Sequence, residues 1–182
     1  LEKLKHGLFK IEERYLLKAD WKDATKEHLA INEVCVRGLS PSELLETEVY
    51  VNGEYLSTYS SDGLIAATPT GSTAYSMSCG GPIISPQSKC ICLTPISPHN
   101  LTHRPLIIPE DSEIEFRISH SKNQVSLHLD SQNYLLNPPA RILIRKAEKK
   151  LKLVRMENNS FFSAIRNKLM WGTNLRNTNK ND

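Results

Sequence analysis

The chain has 182 residues, 39% of them hydrophobic, and a formal net charge of +3. That suffices for one ordinary domain with its own core. The interspersed acids and bases exclude the broad basic footprint of a non-specific nucleic-acid binder, and no apolar run approaches the ~18 residues of a membrane span. No charged-then-apolar leader precedes the first element, so the expectation is a cytoplasmic protein that binds neither nucleic acid nor membrane.

The first residue is Leu rather than Met, and residues 1–9 read as an amphipathic helix arriving from an upstream portion. Strand-like apolar runs follow at 15–19 and 29–37, separated by the polar stretch 20–27. Residues 48–51 and 54–59 are joined at Asn52-Gly53, a pair suited to a tight hairpin because both positions tolerate positive φ. Residues 73–78, after Pro69 and Gly71, fit a short helix whose amino end faces a loop. Further short strands fit 64–67, 90–94, 106–108, 113–118, 125–129, 134–136, 141–144 and 151–154. A basic cluster spans 141–155, with Arg145, Lys146, Lys149, Lys150 and Lys152, and reads as a solvated strand edge and turn. In 161–171, Phe161, Phe162, Ile165, Leu169 and Met170 recur at helical spacing, and the polar tail 174–182 is expected to fray. The fold class is therefore mainly β, two antiparallel sheets packed as a sandwich with a helix at each end.

Cys35, Cys79, Cys90 and Cys92 fall on apolar segments with no disulfide framework and read as reduced core thiols. A zinc site built from Cys90, Cys92, His99 and His103 is disfavoured by Pro95 and Pro98, which keep the histidines off a shared helix face. No metal ligand set is expected. His99 reads as a hydrogen-bonded loop residue, and Trp21 and Trp171 as packing residues.

The informative run is 62–82, which sets a carboxylate, several hydroxyls, one aromatic ring and glycines around an apolar strand. Gly71 lets the backbone approach a ligand closely, and Gly80 and Gly81 allow a sharp return. Thr73 and Ser76 can hydrogen-bond a nucleotide, Tyr75 offers a flat face to a base, and Asp62 can accept from a ribose hydroxyl or a carboxamide. The same composition also fits a plain turn with Tyr75 in the core. Two rivals are excluded: no lysine stands where a phosphate-binding P-loop needs one and no Gly-x-Gly-x-x-Gly follows a strand; a hydrolase elbow, Gly-x-Ser-x-Gly, is also missing.

The block Thr68-Pro-Thr-Gly-Ser-Thr-Ala-Tyr-Ser76, led by Asp62-Gly63 and trailed by Gly80-Gly81-Pro82, is similar to the signature of bacterial NAD kinases. Supporting matches are Glu13-Arg14, Asn32-Glu33-Val34, Leu93-Thr-Pro-Ile-Ser-Pro-His99, Arg104-Pro105-Leu106, Asp130 with Gln132, and residues 168–172. The resemblance implies that Asn32 and Glu33 reach the adenine and ribose side of NAD. It implies that Thr73, Ala74, Tyr75 and Ser78 line the adenosine pocket, with Tyr75 stacking on a base. Asp62 is implied at the nicotinamide end or its ribose, in a site shared with a neighbouring subunit, and Gln132 closes the pocket. Ser60, Ser76 and Met77 complete the implied NAD-binding set. Ser60 sits where many members carry a basic residue, Cys79 replaces a small alanine, and Ser131 replaces a glycine.

The family's Gly-Gly-Asp-Gly-Thr motif, with its catalytic aspartate, occurs nowhere in these residues, so no catalytic residue is assigned. The family places it in an amino-terminal α/β domain. The implied division is 1–12 as the end of that domain, 13–157 as the NAD-binding β domain, and 158–182 as a helix and tail folding back. The implied activity transfers the terminal phosphoryl of ATP or polyphosphate to the adenosine 2′-hydroxyl of NAD with Mg²⁺ or another divalent cation, in a homo-oligomer, dimer or tetramer. The chain alone is expected to bind dinucleotide weakly and turn nothing over. Two rival readings are a non-catalytic nucleotide- or partner-binding β domain and a diacylglycerol-kinase-like lipid kinase, the latter disfavoured by Thr73-Ala74-Tyr75.

Overall fold

The computed structural model describes residues 5–40, 44–121, 123–156 and 160–171. The chain divides into two compact units, Arg14–Leu151 and a smaller one made of Leu1–Glu13 with Lys152–Asp182.

Two six-stranded sheets make up the larger unit, apart from residues 9–13 and 152–156 at the ends of two strands, which are counted in the smaller one. The first runs β2 (His28–Ala30), β1 (Phe9–Trp21), β12 (Ala140–Met156), β9 (Ile114–Ile118), β4 (Leu45–Val51), β5 (Glu54–Ser61). The second runs β11 (Gln132–Leu136), β10 (Val125–Leu129), β3 (Glu33–Gly38), β6 (Gly63–Ala67), β7 (Cys90–Ile96), β8 (Leu106–Pro109). Alternation along the strands sends Leu17, Leu45, Val49, Phe116 and Ile142 of the first sheet into one core with Val34, Val36, Leu64, Leu93 and Leu127 of the second. Burying each such side chain contributes about 1.5–3 kcal/mol.

The β4–β5 turn is as the sequence suggests, with Asn52 at φ 52° and Gly53 at φ 82°. The Asn52 side chain also accepts the Glu113 N–H at 2.8 Å, which ties the turn to the start of β9.

The second sheet is covered on its outer face too. Cys35, Ile65, Ala67, Cys92 and Ile96 point away from the main core and pack with Ile84, against which Tyr75, Cys79 and Cys90 lie. Burial on both faces explains the near-continuous apolar runs of β6 and β7. The cover consists of a 3-10 turn (Gly71–Thr73), the helical turn α1 (Tyr75–Ser78) and the chain that follows.

The structure corrects three expectations. Residues 29–37 are not one strand: the chain turns at Ile31 and Asn32 between β2 and β3. Residues 141–144 and 151–154 are one strand, because the basic cluster between them continues β12, with Arg145 paired to Asp20, Lys146 to Glu110 and Lys149 to Glu27. In the smaller unit the helix expected through residue 9 stops earlier, since Gly7 adopts φ 68° and Phe9 opens β1; residues 1–4 lie outside the described residues. That unit also holds α2 (Phe161–Leu169), capped by Ser160, whose hydroxyl accepts the Ser163 N–H at 3.0 Å. Met170, left-handed at φ 51°, ends α2 two residues before the expected limit.

Candidate functional site

The site is built around the break between β2 and β3. Asp130, in the β10–β11 turn, accepts the backbone N–H of Ile31 and of Asn32 at 2.8 Å each and that of Glu33 at 3.1 Å. From the other side, Thr68 donates its hydroxyl to the Ile31 carbonyl at 2.6 Å and its N–H to the Asn32 carbonyl at 2.8 Å. Gly71 lies so close to this corner that a Cβ there would stand 2.0 Å from the Asn32 carbonyl oxygen. The Asn32 backbone therefore requires glycine at 71.

The covering segment is pinned to the sheet by its own hydroxyls. Ser72 donates to the Pro69 carbonyl at 2.7 Å and accepts the Ile84 N–H at 3.0 Å. Ser76 is fully buried, and its hydroxyl pairs with that of Thr94 on β7 at 2.8 Å.

Between segment and sheet lies a cavity of about 220 Å³ lined by Glu33, Cys35, Arg37, Tyr75, His128 and Asp130. Glu33 is buried, and its Oε2 has no hydrogen-bond partner among the described residues. Burial, then the neighbouring Asp130 charge, pushes its carboxyl up to about 7. The Arg37 guanidinium lies 5.8 Å from the centre of the Tyr75 ring. His128 Nε2 and the Ser126 hydroxyl are 2.8 Å apart, and Ser126 donates to Asn133 Oδ1 at 2.5 Å. With that proton directed to Asn133, Nε2–H is the donor to Ser126. Burial, then the Arg37 charge, lowers the His128 basicity and favours the neutral ring. Cys35 is buried and its thiol is pushed up to about 12, so it is an inert wall. The cavity thus offers an aromatic face, a buried acceptor lacking a donor and a guanidinium, a set suited to an uncharged heterocycle and a hydroxylated sugar.

Of the residues singled out from sequence, Glu33 and Tyr75 meet at this cavity. Asn32 forms the adjoining corner, half-buried. Ala74 and Met77 are half-buried on the covering segment, and Thr73 and Ser78 are exposed there. Thr73 leans on the Thr70 carbonyl at 3.4 Å. The Ser76 side chain belongs to the interior, contrary to its expected place against a nucleotide. Asp62 is half-buried, its N–H donating to the Ile96 carbonyl at 3.0 Å. Ser60 lies on a separate, broad depression of about 1080 Å³ with Ser40, Glu46, Ser119 and His120. Strand alternation puts Gln132 on the same face as Tyr134 and Leu136, and it accepts from the Tyr134 hydroxyl at 2.6 Å. It does not close the cavity, whose side of β11 carries Asn133.

Arg37, His128 and Asp130 were missing from the expected set. Period-two alternation gives the signal for the first two: Glu33, Cys35 and Arg37 share one face of β3, and Ser126 and His128 share one of β10. The suspected zinc group separates as well. Cys92 lies in the outer core beside Thr94, while His103 stacks on Tyr59 at 4.3 Å and meets the Ser57 hydroxyl at 3.1 Å.

Residues 31–156 match the family model of the ATP-NAD kinase C-terminal domain. The chain belongs to the NAD kinase family. It is 45% identical to the NAD kinase of Flavobacterium johnsoniae over 156 residues, covering 85% of this chain and 53% of that protein. It is 38% identical to the NAD kinase of Bacteroides fragilis over 178 residues, covering 97% and 61%. Among solved structures, yeast NADH kinase complexed with NADH superposes with a TM-score of 0.87 at 31% identity, over 97% of this chain and 53% of that one. An NAD kinase from Archaeoglobus fulgidus in complex with ATP gives 0.75 at 25% identity, over 91% and 64%. The chain thus spans about half the length of the first of these NAD kinases.

Proposed function

We propose that this chain is the nucleotide-acceptor portion of an NAD kinase and that the cavity beside Tyr75 holds the adenosine part of NAD. The observation that carries the reading is the buried, partnerless Oε2 of Glu33 opening beside an aromatic face, in a chain of this family. A ribose hydroxyl supplies the missing donor, and adenine lies against Tyr75. Asn32, Thr73, Ala74, Met77 and Ser78 line the approach, Asp62 takes the nicotinamide end, and Ser60 marks where the dinucleotide runs on.

Phosphoryl transfer depends chiefly on alignment and charge neutralisation. This half contributes the alignment: it holds the adenosine so that its 2′-hydroxyl faces the donor. ATP or polyphosphate is the proposed donor, with Mg²⁺. Among the described residues no group of three His, Cys, Asp or Glu side chains is placed to hold a metal ion; the donor's phosphates are the cation's natural ligands. Proton abstraction from the 2′-hydroxyl is assigned to the Gly-Gly-Asp-Gly-Thr aspartate in the portion of the relatives that this chain does not span. The exposed Leu8, Ile11, Phe162, Met170 and Trp171 of the smaller unit are the proposed contact with that portion. A homo-oligomer in the cytoplasm completes the reading.

The test is to titrate the chain with NAD and to assay it with ATP, Mg²⁺ and NAD, alone and together with the missing portion of a relative. Binding alone and NADP⁺ only with the added portion support the proposal. NADP⁺ formed by residues 1–182 alone contradicts the division of labour, and failure to bind NAD contradicts the site.

A further inference from the structure

Asp130 is placed like an ordinary hairpin residue, in the turn that joins Leu129 to Gln132, and its φ of 51° is one that Asp tolerates. A turn alone asks nothing of the side chain, yet both carboxylate oxygens are engaged elsewhere in the sequence. Oδ2 takes the Ile31 N–H, Oδ1 takes those of Asn32 and Glu33, and the Asp130 N–H donates to the Glu33 carbonyl at 3.1 Å. With Thr68 on the Ile31 and Asn32 carbonyls, all six backbone polar groups of residues 31–33 have a partner. An interruption between two strands that leaves no buried backbone group unmatched is a built corner, held against the continuous strand its apolar sequence favours.

We infer that Asp130 is a positioning residue for the nucleotide site, fixing the 31–33 corner so that the free oxygen of Glu33 faces the cavity. The inference rests on the proposed adenosine site and adds to it a group that acts through Glu33. Asp130 sets the Glu33 backbone from both its N–H and its C=O, which determines where the side chain leaves β3. It also surrounds Glu33 with charge. The groups that line the cavity with that carboxyl are Asp130 from the β10–β11 turn, Cys35 and Arg37 on its own strand, Tyr75 from α1 and His128 from β10. Asp130 is the one carboxylate in this lining besides Glu33, so its charge favours the protonated form of Glu33. It therefore bears on whether Glu33 meets a ribose hydroxyl as a carboxylate or as an acid.

Two substitutions in the 182-residue chain test this, read by hydrogen exchange at the three amides, by NMR titration of the Glu33 carboxyl and by NAD titration. Asp130→Gly keeps the left-handed turn but removes the clamp. Exchange at Ile31, Asn32 and Glu33 is expected to accelerate about tenfold or more and NAD affinity to fall by a similar factor. Asp130→Asn keeps an acceptor for Asn32 and Glu33 but removes the charge, so the Glu33 carboxyl is expected to titrate at lower pH than in the wild type. A residue needed only for its turn would leave all three readouts in place in Asp130→Gly, and that result overturns the inference. A wild-type chain that takes up no NAD, with the amides still released in Asp130→Gly, overturns instead the nucleotide reading on which the inference rests.

Discussion

Replacing Gly71 with Ala tests the account of the corner, because the structure fixes the size of the collision. The added Cβ would lie 2.0 Å from the Asn32 carbonyl oxygen, 2.4 Å from its carbon and 2.7 Å from its Cα, whereas real Cβ atoms essentially never approach closer than 3.0 Å. All three obstacles are backbone, so no side chain can swing aside, and relief requires the corner to move by about 1 Å. That corner is held by three hydrogen bonds to Asp130 and two from Thr68. Overpacking costs about 1–3 kcal/mol, and each hydrogen bond weakened by the shift adds about 1 kcal/mol. The expected destabilisation is about 3–5 kcal/mol, or roughly a 6–20 °C fall in Tm for a chain of this size. Gly80→Ala is the control: it has open space around it, and its φ of +82° costs an L-residue about 1–2 kcal/mol. Denaturant and thermal melts of the two variants beside the wild type make the comparison. A Gly71→Ala chain no less stable than Gly80→Ala would refute the close-approach argument.

Ser76→Ala should lower stability by about 1–2 kcal/mol, because the Thr94 hydroxyl loses its hydroxyl partner and keeps only the weak contact with the Cys92 thiol, and should leave NAD affinity within about twofold of wild type; a variant that stays stable but no longer binds NAD would show the hydroxyl facing ligand after all. Folded Glu33 titrates at about 7 against an ordinary 4.5, so the folded state retains a proton that the unfolded chain releases between those values. Its contribution to stability is complete below about pH 4.5 and is lost as pH rises through about 7. The stability–pH curve of Glu33→Gln should lack that component, and superimposable curves would remove Glu33 as its source. Tyr75→Ala should weaken NAD binding by about tenfold through loss of stacking, as calorimetry can measure.

What could be read from the chain was mostly local. The Asn52-Gly53 hairpin depends on two adjacent residues, and the strands 64–67 and 125–129 on short apolar runs with clear borders. The α1 turn follows Pro69 and Gly71, which mark it. What escaped depends on distant partners. Residues 29–37 look continuous because the carboxylate that breaks them is about a hundred positions away, at Asp130. The basic cluster looks like a turn until Asp20, Glu27 and Glu110 are brought alongside it, after which it serves as ordinary strand. Ser76 looks like a ligand group because a hydroxyl in a Gly/Ser/Thr-rich run gives no sign of which way it faces; Thr94 of β7 decides it. Arg37 and His128 are legible only through strand alternation, which sets them on the faces that also carry Glu33 and Ser126.

In the proposed site adenosine occupies the outer face of the second sheet, between Tyr75 and Glu33. A crystal structure of the chain with NAD tests it most directly. Adenine against the Tyr75 ring, with a ribose hydroxyl within hydrogen-bond distance of Glu33 Oε2, is the expected result. NAD bound in the depression around Ser60 and His120, with the Tyr75 cavity empty, would contradict it.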